Sequence, residues 1–177
     1  MPELYTLNTE EDIPNELRRT PIGEFLRYHN FNAEFKSCTK AEILIGMCMD
    51  NRKTLRVPDN FAYILRTGGA NLRFSEFKVA YAIAVGEVRH IVLLGHTKCG
   101  MVGLVNRKDN FINGMVDAGW EHKYAENFFN SFAPTFEIVD AENFVFNEAA
   151  RLRSLYPNVV VVPMIYDVDD NKIRLFR

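Results

Sequence analysis

Five residues in two short segments have side chains that could together hold and use a metal ion. Cys48, Asp50 and Arg52 follow one apolar run of the sequence, and His96 and Cys99 follow another. Two thiols and an imidazole form a set that binds zinc, and catalytic zinc sites have three protein ligands and a fourth position for water. The residue types therefore indicate a zinc site, which is either structural or catalytic.

The spacing within each segment supports a shared site. His96 and Cys99 are three residues apart and flanked by glycines, so a sharp turn from strand into helix lets both side chains reach one ion. Asp50 and Arg52 lie two residues apart and point to the same side of an extended chain. Arg52 can then hold the carboxylate through two parallel hydrogen bonds. A buried cysteine alone is often only a small apolar residue, so the five residues indicate a metal site only in combination.

The sequence around these segments predicts strands alternating with helices. The predicted strands are 43–49, 61–66, 91–95 and 159–162, the last of them ended by Pro163. The predicted helices are 21–29, 75–85, 99–106 and 137–155. Segments 164–168 and 173–176 flank Asp169-Asp170-Asn171, which is typical of a hairpin. Alternation of this kind indicates parallel βαβ units with a covered central sheet.

These elements predict an α/β fold with a mostly parallel central sheet flanked by helices, an antiparallel edge strand and an N-terminal helical arm. We expect one domain over residues 1–177, with the arm at 1–35 and the zinc-binding core at 40–177. Ligands of such sheets bind beyond the carboxyl ends of the strands. Cys48 and His96 both lie at such ends, which places the two segments at one edge of the sheet.

Composition excludes several classes of protein. The chain has 177 residues and a formal net charge of -2, and its basic residues are scattered, so we expect no nucleic-acid partner. No apolar stretch approaches the roughly 20 residues that a membrane span needs. The N-terminus lacks the plan of a signal peptide. Three cysteines without disulfide-scaffold spacing favour a reducing, cytoplasmic location.

The paired motifs resemble those of the β-class carbonic anhydrases. Cys48-x-Asp50-x-Arg52 and His96-x-x-Cys99-Gly100 carry the resemblance, which covers roughly residues 40 to 177. The segment Arg66-Thr67-Gly68-Gly69 is similar to that family's Arg-Asn-Ala-Gly segment. The resemblance implies one zinc ion per chain held by Cys48, His96 and Cys99, with Asp50 and Arg52 as a catalytic dyad. It also implies a homodimer or an assembly of dimers, with the N-terminal helices wrapped around the partner.

The activity that this resemblance implies is the reversible hydration of carbon dioxide to bicarbonate by a zinc-bound hydroxide. Asp50 would orient the hydroxide and Arg52 would keep Asp50 ionised. Backbone N–H groups near Gly68 and Gly69 would stabilise the developing bicarbonate. Two thiolates and a neutral imidazole leave the zinc site formally neutral, so we expect the enzyme to need mildly alkaline conditions.

Two alternatives remain open at the level of sequence. The same site could hydrolyse carbonyl sulfide or carbon disulfide, because the stretch between Arg52 and Phe61 is shorter than is usual in the family. A non-catalytic zinc module would use Asp50 as a permanent fourth ligand, although such a site needs no arginine partner for that carboxylate. Phe128, Phe129, Phe132 and Phe136 are interpreted as core or dimer contacts.

Overall fold

A six-stranded sheet forms the centre of the molecule in the computed structural model, which describes residues 3–177. In space the strands follow the order β1-β6-β5-β4-β2-β3. Their bounds are β1 Leu4–Thr6, β2 Ile43–Cys48, β3 Ala62–Thr67, β4 His90–His96, β5 Val160–Asp167 and β6 Lys172–Phe176. The α-helices are α1 Asn15–Arg18, α2 Pro21–Phe31, α3 Glu76–Ala84, α4 Lys108–Asp117, α5 His122–Phe136 and α6 Ala141–Leu155.

Strands β3, β2, β4 and β5 pair in parallel, whereas β6 and β1 are antiparallel to their neighbours. The predicted fold class is therefore confirmed. Every residue of β2 is buried, which explains why this strand is a continuous apolar run. The carboxyl ends of β2 and β4 adjoin, since Met47 pairs with Leu94. The residues that follow both strands are thus brought to one edge of the sheet.

Helices cover both faces of the sheet, and two apolar clusters result. Ile45 of β2 contributes to the cluster that contains Phe25 and Leu26 of α2. Leu44, on the opposite face of the same strand, contributes to the cluster that contains Val145 of α6. Within residues 3–177, no helix has the length and apolar character needed to cross a bilayer.

The contact between α6 and β4 is close at the residue before His96. A Cβ atom placed on Gly95 would lie 2.9 Å from Cγ1 of Val145 and 3.0 Å from Cδ1 of Ile165. Real side chains do not approach one another so closely, so glycine is required by the packing rather than by an unusual backbone conformation. The end of β4 is therefore held tightly against the helix behind it.

Pro163 does not end the fourth predicted strand. β5 runs through it to Asp167, and Pro163 pairs with Leu93 of β4. Proline is tolerated because β6 pairs with β5 only from Met164 onward, which leaves the side of β5 at Pro163 without a neighbouring strand. The missing N–H group therefore removes no hydrogen bond from the sheet.

Four further segments differ from the sequence-based expectation. Residues 4–6 of the predicted helical arm form β1, so the arm contributes the outermost strand beside β6. A loop and a 3-10 turn, Leu104–Arg107, replace the helix predicted at 99–106. Residues 108–136, for which we predicted no element, form α4 and α5. The helix predicted from residue 137 begins at Ala141, after the N-cap Asp140.

Candidate metal centre

The side chains of Cys48, His96 and Cys99 converge at the carboxyl ends of β2 and β4. Their sulfur and nitrogen donor atoms all lie within 4.8 Å of one another, and all three residues are buried. The two sulfur atoms are 3.9 Å apart. We call these three residues the metal group. The structure therefore brings together the three residues that the sequence assigned to one ion.

The orientation of the His96 ring leaves one nitrogen free to coordinate a metal. Nδ1 lies 2.8 Å from the carbonyl oxygen of Thr97, which makes it the protonated nitrogen that donates to this oxygen. Nε2 then carries a lone pair. It is completely buried and has no hydrogen-bond partner among the described residues. A backbone acceptor on the distal nitrogen is the usual arrangement for a metal-ligating histidine.

The two thiols interact strongly in the absence of a metal ion. Cys99, His96 and the N–H groups of Asp50 and Gly69 favour a thiolate at Cys48 and lower its pKa to about 3. The adjacent Cys48 and burial raise the pKa of Cys99 well above its usual range. The pair therefore loses one proton readily and retains the second. A cation that binds both sulfurs would remove the repulsion that opposes the second deprotonation.

Asp50 and Arg52 form a bidentate pair directly beside the metal group. Oδ1 of Asp50 accepts hydrogen bonds from the backbone N–H and from Nε of Arg52, each 2.9 Å long. Oδ2 accepts from Nη2 of Arg52 at 2.6 Å and lies 3.9 Å from Nε2 of His96. Arg52 also donates to the carbonyl oxygen of Lys98. These hydrogen bonds from Arg52 hold the pKa of Asp50 well below its usual range.

Two cationic residues that are not among the site residues predicted from the sequence complete this side of the site. The guanidinium of Arg66, on β3, donates to the carbonyl oxygens of Asp50 and Lys53 at 3.2 Å each. Lys53 follows the dyad in the chain and is only 2% exposed. Asp50, Arg52, Lys53 and Arg66 are together called the charged wall. A lysine within a loop gives no sequence signal of burial, which is why Lys53 was missed.

An apolar cavity of about 500 Å³ opens on the other side of the metal group. Its lining consists of Met49, Thr67, Gly68, Asn71, Phe74, Met101, Leu104, Phe111, Phe128, Phe129, Phe132, Ala133 and Phe136. Met49 follows Cys48 directly, and Met101 lies two residues beyond Cys99. The phenylalanines of α5 therefore line a cavity next to the site. Their helical spacing was the available signal, but we interpreted them only as core or dimer contacts. A larger cavity, of about 750 Å³ beside Pro14 and Val160, contains none of the site residues.

Gly68 and Gly69 have different contacts in the site. The N–H of Gly69 donates to Sγ of Cys48 at 3.4 Å and so stabilises a thiolate. This contact involves the metal group, and stabilisation of bicarbonate by backbone N–H groups near Gly68 and Gly69 stays a prediction. Gly68 lines the apolar cavity, next to the side chains of Met101 and Phe136.

The donor set fits a zinc ion. Zinc accepts two thiolates and an imidazole nitrogen, and the buried lone pair on Nε2 of His96 has no other use in the described structure. The group comprises only these three donors, so a fourth coordination position would remain for a small molecule. Such a site can polarise water beside an immobilised carboxylate, which is an arrangement for a hydration or hydrolysis reaction.

Comparison with known proteins places this geometry in context. The family model described as carbonic anhydrase matches residues 71–172, a range that contains His96 and Cys99 and begins after Cys48, Asp50 and Arg52. No curated protein sequence matches the chain.

Several solved structures are similar to this one. The β-carbonic anhydrase isoform I of Trichomonas vaginalis has a TM-score of 0.64 and 18% identity, over 82% of this chain and 88% of that chain. The carbonic anhydrase of Glaciozyma antarctica has a TM-score of 0.63 and 19% identity, over 93% and 99% of the two chains. A carbon disulfide hydrolase has a TM-score of 0.57 and 15% identity, over 94% and 91%. At these identities the likeness establishes a shared fold.

Proposed function

Because this chain belongs to the β-carbonic anhydrase family, we propose that it catalyses the reversible hydration of carbon dioxide to bicarbonate at the metal group. The observation that carries the proposal is the position of Asp50. Its Oδ2 lies 3.9 Å from the free nitrogen of His96, and Arg52 immobilises it. A closed structural site needs no fixed carboxylate beside its ligands.

We assign the binding of one zinc ion per chain to Cys48, His96 and Cys99. Zinc held there would supply Lewis acidity, which makes water a nucleophile near neutral pH. Two hydrogen bonds preorganise the ligands: the N–H of Gly69 donates to Cys48, and the carbonyl oxygen of Thr97 accepts from His96. These contacts set the tautomer of the histidine and favour a thiolate before any ion is present.

Asp50 acts as the residue that orients the nucleophile. Its ionised carboxylate accepts a hydrogen bond from the attacking water and so directs a lone pair toward the carbon atom of carbon dioxide. Arg52 lowers the pKa of the carboxylate further and prevents it from turning toward the metal group, because two guanidinium nitrogens and the backbone N–H hold both oxygens. This restraint argues against a non-catalytic module in which Asp50 is a permanent fourth ligand.

The apolar cavity suits the neutral reactant. Carbon dioxide carries no net charge, and a wall of methionine and phenylalanine side chains offers water few hydrogen-bonding partners. Gly68, Met49 and Met101 place this wall next to the metal group. We assign the cavity to the approach of the substrate and the charged wall to the orientation of water and the departure of the anion.

The same cavity favours a second candidate reaction, the hydrolysis of carbon disulfide or carbonyl sulfide. Both are linear molecules, and carbon disulfide is larger and more apolar than carbon dioxide. A cavity of about 500 Å³ has room for either molecule, and the metal group and dyad would serve both reactions in the same way.

Stopped-flow hydration of carbon dioxide by the zinc-loaded protein, between pH 6 and 9, tests the proposal. We expect a zinc-dependent rate that increases toward alkaline pH. Parallel assays with carbon disulfide and carbonyl sulfide identify the preferred substrate. Cys48→Ala provides the inactive control, and Cys38→Ala the matched control, because Cys38 is a buried thiol outside the metal group. A fully zinc-loaded protein without activity toward all three substrates would contradict the proposed function.

We also propose that the chain forms a homodimer through β3 and α3. β3 is an edge strand whose Tyr63 and Ile64 are exposed. On α3, Phe77 is 83% exposed, and Tyr81 is half exposed. An open strand edge beside apolar side chains is a surface that a second chain commonly covers. Light scattering of the wild-type protein and of Ile64→Lys should give a dimer and a monomer, respectively. A monomeric wild type would contradict this assignment.

A further inference from the structure

Lys53 is a buried cation without a counter-ion in direct contact. Its side chain is 2% exposed, and its Nζ has no hydrogen-bond partner among the described residues. Lysine is rarely buried in this way, because the ammonium loses its hydration. The loss must be offset by charges nearby or by a function.

The backbone at Lys53 is held in place by Arg66, another residue of the charged wall. It follows Arg52 in the chain, and its carbonyl oxygen accepts a hydrogen bond from Arg66. Arg66 also donates to the carbonyl oxygen of Asp50, so one guanidinium holds both ends of the segment from Asp50 to Lys53. The lysine therefore sits in the same restrained loop as the dyad.

Four charged groups from different parts of the chain act on Lys53. They are Cys48 at the end of β2, Asp50 in the loop, Cys99 after β4 and Arg66 on β3. Burial lowers the pKa of Lys53, whereas the three acidic groups oppose this change. Lys53 acts in turn on Asp50 and Cys99. The ammonium is thus electrostatically coupled to the metal group as well as to the dyad.

A count of charges shows what Lys53 adds. Two thiolates and a divalent ion cancel, as do Asp50 and Arg52. Arg66 is exposed, so solvent screens its charge. Lys53 contributes one positive charge that is buried from solvent and acts on Cys48, Asp50 and Cys99.

We propose that Lys53 is a positioning residue that gives the metal site a net positive charge and thereby increases its affinity for anions, bicarbonate among them. The inference rests on the metal binding assigned under the proposed function and extends it. Lys53 acts through its electric field, since it lines neither the apolar cavity nor the cleft beside Cys99. A charge of this kind would compensate for the formal neutrality of a site with two thiolates.

The test measures binding of thiocyanate to the cobalt(II)-substituted protein by its visible absorption, which requires no turnover. We expect the dissociation constant to increase about tenfold in Lys53→Met, as for the loss of one charge that is only partly screened. Lys53→Gln, which retains a hydrogen-bond donor but no charge, should show the same increase. Lys53→Arg should restore affinity to within about twofold of the wild type, a margin well below that expected for a lost charge.

Lys40→Met is the matched control. Lys40 is an exposed lysine paired with Glu87 and precedes β2, at the opposite edge of the sheet, so its loss changes the net charge but not the site. Its variant should bind thiocyanate as the wild type does.

Three results would each overturn the proposal. These are unchanged affinity in Lys53→Met and Lys53→Gln, equal weakening in Lys40→Met, and no recovery of affinity in Lys53→Arg. Failure of the proposed function is distinguishable, because a wild-type protein that binds cobalt and thiocyanate but hydrates no carbon dioxide would still allow this comparison. A protein that binds no metal at the group would refute both proposals.

Discussion

The two sides of the metal group differ in the molecules they can accommodate. The charged wall places two ionised side chains, a buried ammonium and a second guanidinium on the side of Asp50. The apolar cavity places methionine and phenylalanine side chains on the side of Gly68. In the proposed reaction a neutral molecule is consumed and an anion is formed. The contrast shows how one small site can serve both species, because each meets a different wall.

The largest effect is expected from the loss of a ligand in the metal group, which lies between the charged wall and the apolar cavity. Cys99→Ser replaces a soft thiolate by a hydroxyl, which is a poor zinc ligand near neutral pH. We expect loss of stoichiometric zinc by atomic absorption and a hydration rate reduced to background. The variant should remain folded by circular dichroism, since Cys99 belongs to the small cluster beside the site rather than to either large apolar cluster. Full zinc occupancy in this variant would remove Cys99 from the ligand set.

The next effect tests the charged wall alone. Arg52→Met leaves Asp50 ionised at neutral pH but free to rotate toward the metal group, and we expect kcat/KM to fall by about 100-fold. Arg52→Lys keeps the charge without the bidentate geometry and should recover only part of the activity. Zinc content should be unchanged, and a crystal structure of Arg52→Met should show Asp50 on the metal ion. Water in that position instead would contradict the restraining role of Arg52.

The pH dependence of stability provides a second measurement on the same pair. Arg52 lowers the pKa of Asp50 in the folded state, so their interaction stabilises the protein above the unfolded pKa of about 3.9. This contribution decreases as the pH falls through the lower, folded pKa. The difference in unfolding free energy between wild type and Arg52→Met should therefore diminish in acid. A difference that grows in acid would have the wrong sign.

A smaller effect tests the apolar wall. A methyl group at Gly68 would lie 3.2 Å from the side chains of both Met101 and Phe136, and therefore Gly68→Ala narrows the cavity next to the metal group. We expect kcat/KM for carbon disulfide to fall about tenfold more than that for carbon dioxide. Gly114→Ala is the control, because a methyl group there contacts nothing within 4 Å. Equal changes for both substrates would mean that the cavity does not select by size.

The smallest effect on activity is expected away from both walls. His29 joins α2 to the turn before β6 through the carbonyl oxygen of Asn171, and burial lowers its pKa to about 4. His29 binds a proton more readily in the unfolded state. The contribution of neutral, buried His29 to the free energy of unfolding is therefore fully present above pH 6.5 and is lost as the pH falls toward 4. The loss amounts to about 3 kcal/mol. Thermal unfolding between pH 6.5 and pH 4 should show this loss in the wild type and a smaller one in His29→Gln. The kcat at pH 8 should be unchanged in the variant.

The sequence sufficed for the parts of the molecule where chemistry and periodicity coincide. The apolar runs of β2 and β4, each followed by residues that can bind a metal ion, predicted both the parallel sheet and the edge at which Cys48 and His96 meet. The helical pattern from residue 21 likewise predicted α2, since Thr20 and Pro21 provide a recognisable start.

Other features depend on tertiary contacts that no local pattern contains. Pro163 is tolerated within β5 because β6 begins to pair one residue later, and that register is set by the hairpin. β1 is only three residues long and exists through its pairing with β6. Lys53 resembles a surface lysine in sequence, and its burial depends on how Arg66 holds the loop. The cavity beside Gly68 requires α5 to be brought against the end of β3, which helical spacing alone does not specify.

The close packing at Gly95 has a consequence for anyone who wishes to redesign the metal group. The position has no functional group, yet a methyl group there would force the side chains of Val145 and Ile165, or the elements that carry them, to shift. The packing of α6 on β4 is therefore tight at the residue next to the histidine ligand. Replacement of Val145 by alanine would loosen the packing against β4. Such a change offers a way to adjust the geometry of the metal group without altering any ligand.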